Sequence, residues 1–362
     1  MTNYVPEALP RPTNAAPWAK VDAKKTLRIV LASTLPAATA ALLAISFGWQ
    51  FEFALLAVFL PLQLVAGLWL GTVTAGKRGR GDALLVIFTV FFSALVLVLL
   101  MSVLWSVVSN GAAAMSWQFF TQNNVYVSAN TSLEYGGVGH SIIGTVLIVG
   151  LATVVTVPLG ILIAVYLTET RGKTRGLIRT LIQAMSGLPS VVSGLFVYAA
   201  FIVTGITQYA GWAGSLALLP LMLPTVSRIA EESLRLVPAD LRSAAVGLGA
   251  PNYRAFLQVV MPAAKSGLVT AILLGIARII GETAPLVLTT FAAATTSVNI
   301  FNGPMSTLPT YLYGFISDPS IQSAQRAWGA ALVMLILVGV LFTAARVMTR
   351  SRVGKTTKKI GK

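Results

Sequence analysis

Residues 267–288 read GLVTAILLGIARIIGETAPLVL, an apolar run of membrane-spanning length that carries two charged residues, Arg278 and Glu282. A transmembrane helix needs about 20 predominantly apolar residues. A charge near the bilayer centre costs roughly 2.5–3.5 kcal/mol on insertion scales and commonly marks a functional site. Residues four apart share one face of a helix, so we expect Arg278 and Glu282 to lie side by side. The stretch predicts a membrane helix with either a charged site for an anion or a structural ion pair.

The rest of the chain has the composition of a polytopic membrane protein. Of its 362 residues, 56% are hydrophobic and 10% are charged, whereas soluble domains have about 25% charged residues. The predicted fold class is therefore all-α and polytopic, although Pro220 and Pro224 interrupt one apolar run. The apolar runs predict eight transmembrane helices, at about 29–47, 53–73, 83–108, 141–167, 183–205, 212–230, 266–288 and 328–348.

The net charge of +15 is unevenly distributed between alternate segments of the chain. The alternate loops that lack basic residues, apart from Arg326, are 48–52, 109–140, 206–211 and 289–327. Lys and Arg concentrate in the segments 1–28, 74–82, 168–182, 231–265 and 350–362. Because cytoplasmic segments of membrane proteins carry the excess of Lys and Arg, both termini are expected in the cytoplasm. The positive charge thus indicates membrane topology and contact with lipid, not a nucleic-acid partner.

Several kinds of chemistry are excluded by residue types. The chain has no cysteine, and His140 is its only histidine, so we expect neither a thiolate nor a histidine-cluster metal site. Residues 71–77, GTVTAGK, mimic a phosphate-binding loop, but Arg78 stands where Ser or Thr would coordinate magnesium. We therefore expect no cofactor and no metal in this chain, and no ATP hydrolysis by it. His140 is interpreted as structural.

The segment 243–262 has the spacing of a docking motif. It begins with Ser243-Ala244-Ala245, continues after three residues with Gly249, and ends in Val259, Met261 and Pro262. It resembles the cytoplasmic coupling motif of binding-protein-dependent ABC importers, with Ser243 in place of the family's Glu and Met261 in place of Leu. The resemblance implies a short helix at about 239–250 that sits in a groove of an ATPase. An ordinary loop helix is the alternative interpretation.

A second resemblance concerns residues 278–286, RIIGETAPL, together with 224–245, PTVSRIAEESLRLVPADLRSAA, and 186–196, SGLPSVVSGLF. These stretches resemble the permease subunits of phosphate-specific ABC importers, the A-type subunit in particular, over about residues 83–350. The resemblance implies that Arg278, Glu282, Thr283 and Arg228 line the substrate pathway. By position alone, Arg228 also suits an interfacial basic residue near the inner face.

The resemblance also implies an assembly and a location. It implies a heterodimer with a C-type phosphate permease, an ABC ATPase dimer that binds ATP and magnesium, and an extracytoplasmic phosphate-binding protein. The expected location is the bacterial plasma (inner) membrane. A six-helix type I importer core at 82–350 would follow a cytosolic tail at 1–28 and an extra helix pair at 29–81, which has no functional interpretation. A basic cytosolic tail would close the chain at 351–362.

Three alternatives to a phosphate importer are compatible with parts of the sequence. An importer of another oxyanion, such as molybdate or sulfate, would share the same motifs. A secondary anion transporter would show inverted repeats, which we do not find, and would not need the coupling segment. A purely structural membrane scaffold would leave Arg278 and Glu282 unexplained.

Overall fold

The computed structural model describes residues 23–48, 54–170 and 172–349. Apart from one isolated bridge between Ala210 and Gly303, the described residues form helices and their connections. The predicted all-helical membrane fold is confirmed. Among the described residues, four helices are long and apolar enough to cross a membrane, or up to six if each of two bent helix pairs is one span. The predicted number of eight is not confirmed and stays a prediction.

The chain divides into two units, Met1–Leu104 and Trp105–Lys362. In the described part of the first unit, helix α1 is Ala23–Phe47 and helix α2 is Leu60–Gly111, whose last residues belong to the second unit. The prediction of a loop at 74–82 is wrong, because helix α2 continues through it. This segment contains no proline, so nothing in its backbone forces a break. The predicted boundary at residue 82 stays a prediction.

The second unit contains the predicted sites. Its helices are α3 (Trp117–Thr121), α4 (Gly139–Glu169), α5 (Thr174–Ser186), α6 (Ser190–Val197), α7 (Gly211–Arg235), α8 (Ala239–Gly247), α9 (Asn252–Ala263), α10 (Lys265–Ile280), α11 (Ala284–Thr289), α12 (Leu308–Ile316) and α13 (Ile321–Thr349). The predicted helix at 183–205 is interrupted, because α5 and the segment Ser190–Val203 meet at 99°. Pro189 causes the break, since a proline disfavours helical backbone in the residue before it.

Helix α7 lies at the centre of this unit and runs unbroken through both of its prolines. The side chain of its Val226 packs directly against two glycines of neighbouring helices. A Cβ atom on Gly160 of α4 would lie 2.8 Å from Val226, and one on Gly275 of α10 would lie 2.6 Å from it. Small residues of this kind let membrane helices approach closely. The close packing fixes the rotation of α7 and with it the direction of Thr225 and Arg228.

Candidate functional site

Arg278 lies in the last turn of helix α10, about 20 Å along the helix axis from Lys265 at 1.5 Å per residue. Its Nη1 atom donates a hydrogen bond of 3.1 Å to the Thr225 hydroxyl on α7. The side chain is exposed in the isolated chain. A guanidinium has five N–H donors, so the contact with Thr225 leaves donors free for a ligand.

The expected pairing of Arg278 with Glu282 is wrong. Helix α10 ends at Ile280, and Gly281 is its C-cap, so Glu282 and Thr283 lie in a non-helical link before α11. The two charged side chains therefore do not share a helix face. In the part of the chain that the structure describes, no ion pair joins them. The break follows from the sequence Gly-Glu-Thr-Ala-Pro, since glycine commonly ends helices and proline suits the first turn of the next helix.

Helix α11, which follows the link at 281–283, packs against helix α6. A Cβ atom on Gly194 would lie 2.5 Å from the Cα atom of Pro285, so only glycine permits this contact. The neighbouring Ser193 donates a hydrogen bond of 2.6 Å from Oγ to the Ala217 carbonyl of α7. The Gly194 contact joins the stretch 186–196 to the stretch 278–286, and the Ser193 bond joins it to α7. Broken membrane helices at such places often contribute to transport sites.

Arg228 lies on α7, three residues after Thr225 and therefore on the same face. Its exposed side chain lines a cavity of about 320 Å³ between α7, α5 and the end of α4. Arg228 has no hydrogen-bond or ion-pair partner among the described residues. The structure thus places Arg278 and Arg228 along one face of α7, whereas no side-chain hydrogen bond of the described residues connects Glu282 or Thr283 with either arginine.

The predicted coupling helix forms as helix α8, and its end explains Gly249. The Gly249 N–H donates to the Val246 carbonyl at 2.9 Å, and the Ala250 N–H donates to the Ala245 carbonyl at 3.1 Å. These two bonds are the Schellman arrangement, which needs a residue with left-handed backbone. Gly249 has φ of +90°, and no atom lies within 4 Å of where its Cβ would be. The left-handed backbone at the end of helix α8 therefore requires a glycine at position 249, whether or not a partner protein also contacts this residue.

The surface around helix α8 is open. Of the predicted contact residues, Ser243, Ala244 and Pro262 are exposed and Ala245 is half-buried. Large apolar side chains stand out beside them: Leu248 is 90% exposed, Leu236 79% and Tyr253 61%. An ion pair between Arg242 of α8 and Glu169 at the end of α4 connects this surface to the membrane helices. Exposed apolar groups with a polar surround are typical of an interaction surface.

The comparison with protein families matches residues 156–352 to the binding-protein-dependent transport system inner membrane component. The match includes α5 to α13, and with them Arg278, Arg228 and helix α8. The chain belongs to this family. As a permease, it is a multi-pass component of a transport system in the inner membrane. Residues 1–155 lie outside the match.

Several curated permeases are similar to this chain over most of its length. The phosphate transport system permease protein PstA 1 of Mycobacterium tuberculosis (strain CDC 1551 / Oshkosh) is 37% identical over 71% of this chain and 85% of its own length. The PstA proteins of Pasteurella multocida (strain Pm70) and Haemophilus influenzae (strain Rd) are 35% and 37% identical, over 68% and 65% of this chain and 86% and 82% of their own lengths.

Solved structures of related permeases are more distant. A crystal structure of an amino acid ABC transporter with histidines has 18% identity and a TM-score of 0.46, over 58% of this chain and 91% of that one. An inward-facing structure of the MetNI methionine ABC transporter has 19% identity and a TM-score of 0.44, over 59% and 93%.

One residue of this permease was not singled out by the motifs, although it is the largest fully buried side chain described. Arg326, in helix α13, has an exposed fraction of 0%. Its guanidinium donates to the carbonyls of Thr131, Ser132 and Tyr135, each at 2.8 Å. It therefore holds the segment between α3 and α4 onto α13. The sequence did mark this residue as unusual, since Arg326 is the only Lys or Arg in the four alternate loops 48–52, 109–140, 206–211 and 289–327.

Proposed function

We propose that the chain is the membrane-spanning permease subunit of an ATP-driven importer of inorganic phosphate. The observation that carries the proposal is Arg278, a guanidinium about 20 Å along a membrane helix. In the described part of the chain its one hydrogen-bond partner is the neutral hydroxyl of Thr225. Uncompensated charge at such a depth marks a substrate pathway more often than a structural contact. The similar permeases of M. tuberculosis, P. multocida and H. influenzae are named for phosphate transport, which identifies the anion.

The chemistry of the site suits a tetrahedral oxyanion. The planar guanidinium of Arg278 can donate two parallel N–H bonds to two phosphate oxygens. Arg228 contributes a second positive charge further along α7. The carboxylate of Glu282 repels the anion and keeps its binding weak enough for release, while the Thr283 hydroxyl supplies a neutral hydrogen bond. Importers of molybdate or sulfate would use similar groups, but none of the relatives named above favours that alternative.

The partners follow from the same proposal. A C-type phosphate permease completes the membrane part as a heterodimer. An ABC ATPase dimer, which itself binds ATP and magnesium, docks on helix α8. A phosphate-binding protein delivers the substrate on the outer side. Ser243, Ala244, Ala245 and Pro262 form the ATPase contact together with the exposed Leu248. Both termini are cytoplasmic, and the basic tail at 351–362 lies outside the described residues.

The direct test is ATP-dependent uptake of labelled phosphate by the assembled transporter. The chain is expressed with candidate C-type and ATPase subunits, purified as a complex and reconstituted in vesicles with the binding protein. Phosphate should accumulate only with ATP, and excess sulfate or molybdate should not compete. Uptake of sulfate or molybdate in preference to phosphate would show that phosphate is not the substrate. Uptake without any ATPase would contradict the proposal that ATP hydrolysis drives transport.

Changes at Gly249 should uncouple the permease from its ATPase. Gly249→Trp introduces a bulky side chain at a left-handed position next to the proposed contact surface, where L-residues are strained by about 1–2 kcal/mol. We expect the ATPase to be lost on co-purification and uptake to fall by at least about tenfold, which corresponds to 1.4 kcal/mol. Asparagine tolerates left-handed backbone better than tryptophan does, so Gly249→Asn should retain more uptake than Gly249→Trp.

Gly247 offers the matched control. It is the last residue of helix α8, two residues before Gly249, also has no atom near its Cβ position, and has no left-handed backbone. Gly247→Ala should therefore leave assembly and uptake unchanged. If Gly249→Trp assembles and transports as the unaltered protein does, helix α8 is not the coupling element.

Cysteine labelling should confirm the predicted topology. The chain has no cysteine of its own, so single introduced thiols report cleanly. Tyr126→Cys, at a side chain that is 94% exposed, should react with an impermeant maleimide in intact cells. Lys173→Cys and Ser351→Cys should react only after the membrane is opened, although Ser351 lies outside the described residues. Labelling of Lys173→Cys in intact cells would reverse the orientation.

A further inference from the structure

A charged cavity lies beside the basic end of helix α7, separate from the Arg278 contact. It measures about 320 Å³ and is bounded by the end of α4, by α5 and by the last three turns of α7. At about 30 Å³ per water molecule, it has room for roughly ten waters, or for a small anion with part of its hydration shell. Its lining is Leu167, Arg179, Ile182, Gln183, Ser227, Arg228, Glu231, Glu232 and Arg235.

The charges in this cavity are arranged around one carboxylate. Arg179 of α5 and Arg235 of α7 both donate to the same oxygen, Oε1 of Glu231, at 2.8 and 2.7 Å. The Glu231 side chain is 13% exposed, whereas the two arginines are 47% and 48% exposed. The carboxylate thus lies beneath the two guanidiniums, which keep most of their donors free on the open side.

Arg228 adds a third guanidinium that has no hydrogen-bond or ion-pair partner among the described residues. With three arginines and two glutamates, the lining has a net charge of +1. Thr225, Arg228, Glu232 and Arg235 follow each other at intervals of three or four residues, so they form one face of α7. That face leads from the Arg278 contact to the cavity, over about 15 Å from Thr225 to Arg235.

We propose that this cavity is a second oxyanion site, in which phosphate binds to Arg228, Arg179 and Arg235 after it leaves Arg278 and before it enters the cytosol. The identity of the anion rests on the proposed function; the site itself rests on the cavity and its guanidiniums. Planar guanidiniums are the side chains best suited to bidentate recognition of phosphate oxygens. Nothing in the coupling motif or the Arg278 motif assigns Arg179, Glu231 or Arg235 to substrate.

In this site Glu231 acts as the acceptor that an incoming anion replaces. While the cavity is empty, its carboxylate holds Arg179 and Arg235 in position and offsets their mutual repulsion. A bound phosphate competes with it for the same donors. The negative end of the α7 dipole also faces this cavity and disfavours an anion. Both effects weaken binding, as an exit site requires.

The test measures equilibrium binding of labelled phosphate to the complete complex in nanodiscs, without ATP, in an Arg278→Gln background that removes the first site. Arg278→Lys serves as the background if the glutamine form does not assemble. Arg228→Gln should weaken binding by about tenfold or more, as expected for losing hydrogen bonds to a charged ligand. Glu231→Gln should tighten binding, because the competing carboxylate is gone. Lys173→Gln removes one charge beside helix α5, outside the cavity lining, and should leave binding unchanged.

The opposite signs distinguish a binding site from a simple ionic contact between α5 and α7. If Arg228→Gln binds phosphate as Lys173→Gln does, or if Glu231→Gln weakens binding, the proposal is overturned. It is also overturned if neither background binds phosphate, sulfate or molybdate. Saturable binding of sulfate or molybdate alone, with the same variant pattern, would retain the cavity site and reject phosphate as the substrate.

Discussion

Replacing Arg278 with glutamine is expected to abolish phosphate uptake while the transporter still assembles. Two charge-assisted hydrogen bonds to the anion contribute about 1.5–3 kcal/mol each, so their loss should reduce transport by at least about 100-fold. The substitution removes one exposed hydrogen bond of 3.1 Å to the Thr225 hydroxyl, so folding should be little affected. Arg278→Lys keeps the charge but loses the planar fork, and an intermediate rate is expected. The measurement is initial uptake of labelled phosphate in vesicles.

The control for charge is Lys265→Gln, at the first residue of the same helix. It removes one positive charge about 20 Å from Arg278 and should retain normal uptake. The double variant Arg278→Glu with Glu282→Arg tests the alternative of a structural ion pair. Because the two residues lie on opposite sides of a helix break, the exchange should not restore transport. Normal uptake by this double variant would contradict a transport role for Arg278.

Replacing Arg326 with leucine is expected to be the most destabilising single change in the second unit. The guanidinium donates three hydrogen bonds of 2.8 Å to backbone carbonyls and is completely buried. Leucine removes all three bonds; the Ser132 carbonyl still accepts from the Tyr135 N–H at 3.2 Å, but the Thr131 and Tyr135 carbonyls lose their donor. Each hydrogen bond to a charged group contributes about 1.5–3 kcal/mol. The free energy of unfolding should therefore fall by about 3–5 kcal/mol or more. Thermal unfolding of the purified complex measures this loss, and proteolysis should cut first between α3 and α4.

The matched control is Ser320→Ala, just before the same helix. Its hydroxyl donates one bond of 2.8 Å to the Ala129 carbonyl of the same segment and accepts one of 3.2 Å from the Ser323 N–H, so the loss should be about 1–2 kcal/mol. Arg326→Lys retains the charge but has fewer well-directed donors, so its thermal stability should lie between those of the unaltered protein and Arg326→Leu. A thermal stability of Arg326→Leu equal to that of Ser320→Ala would show that the arginine does not hold the segment.

The sequence correctly predicted the membrane class, most helix positions and a short helix at about 239–250, whose coupling role stays a prediction. These features depend on apolar runs, on the spacing of small residues and on a helix-ending glycine, all of which act over a few neighbouring residues. The predicted helix boundaries were wrong where a helix breaks inside an apolar run or continues through a basic one. The chain bends at Pro189 and Gly281 inside apolar runs, whereas the basic stretch at 74–82, taken as a loop, continues as helix.

Tertiary structure alone decided which charges meet. The four-residue spacing of Arg278 and Glu282 suggested a pair, but the break after Ile280 separates them and Arg278 binds Thr225 instead. Likewise, Arg179 and Glu231 are 52 residues apart and meet only because α5 packs against α7. Spacing predicts contacts within one continuous helix, since its geometry is regular. Contacts between helices depend on their rotation, which the close approach of Gly160 and Gly275 to Val226 determines and no local pattern encodes.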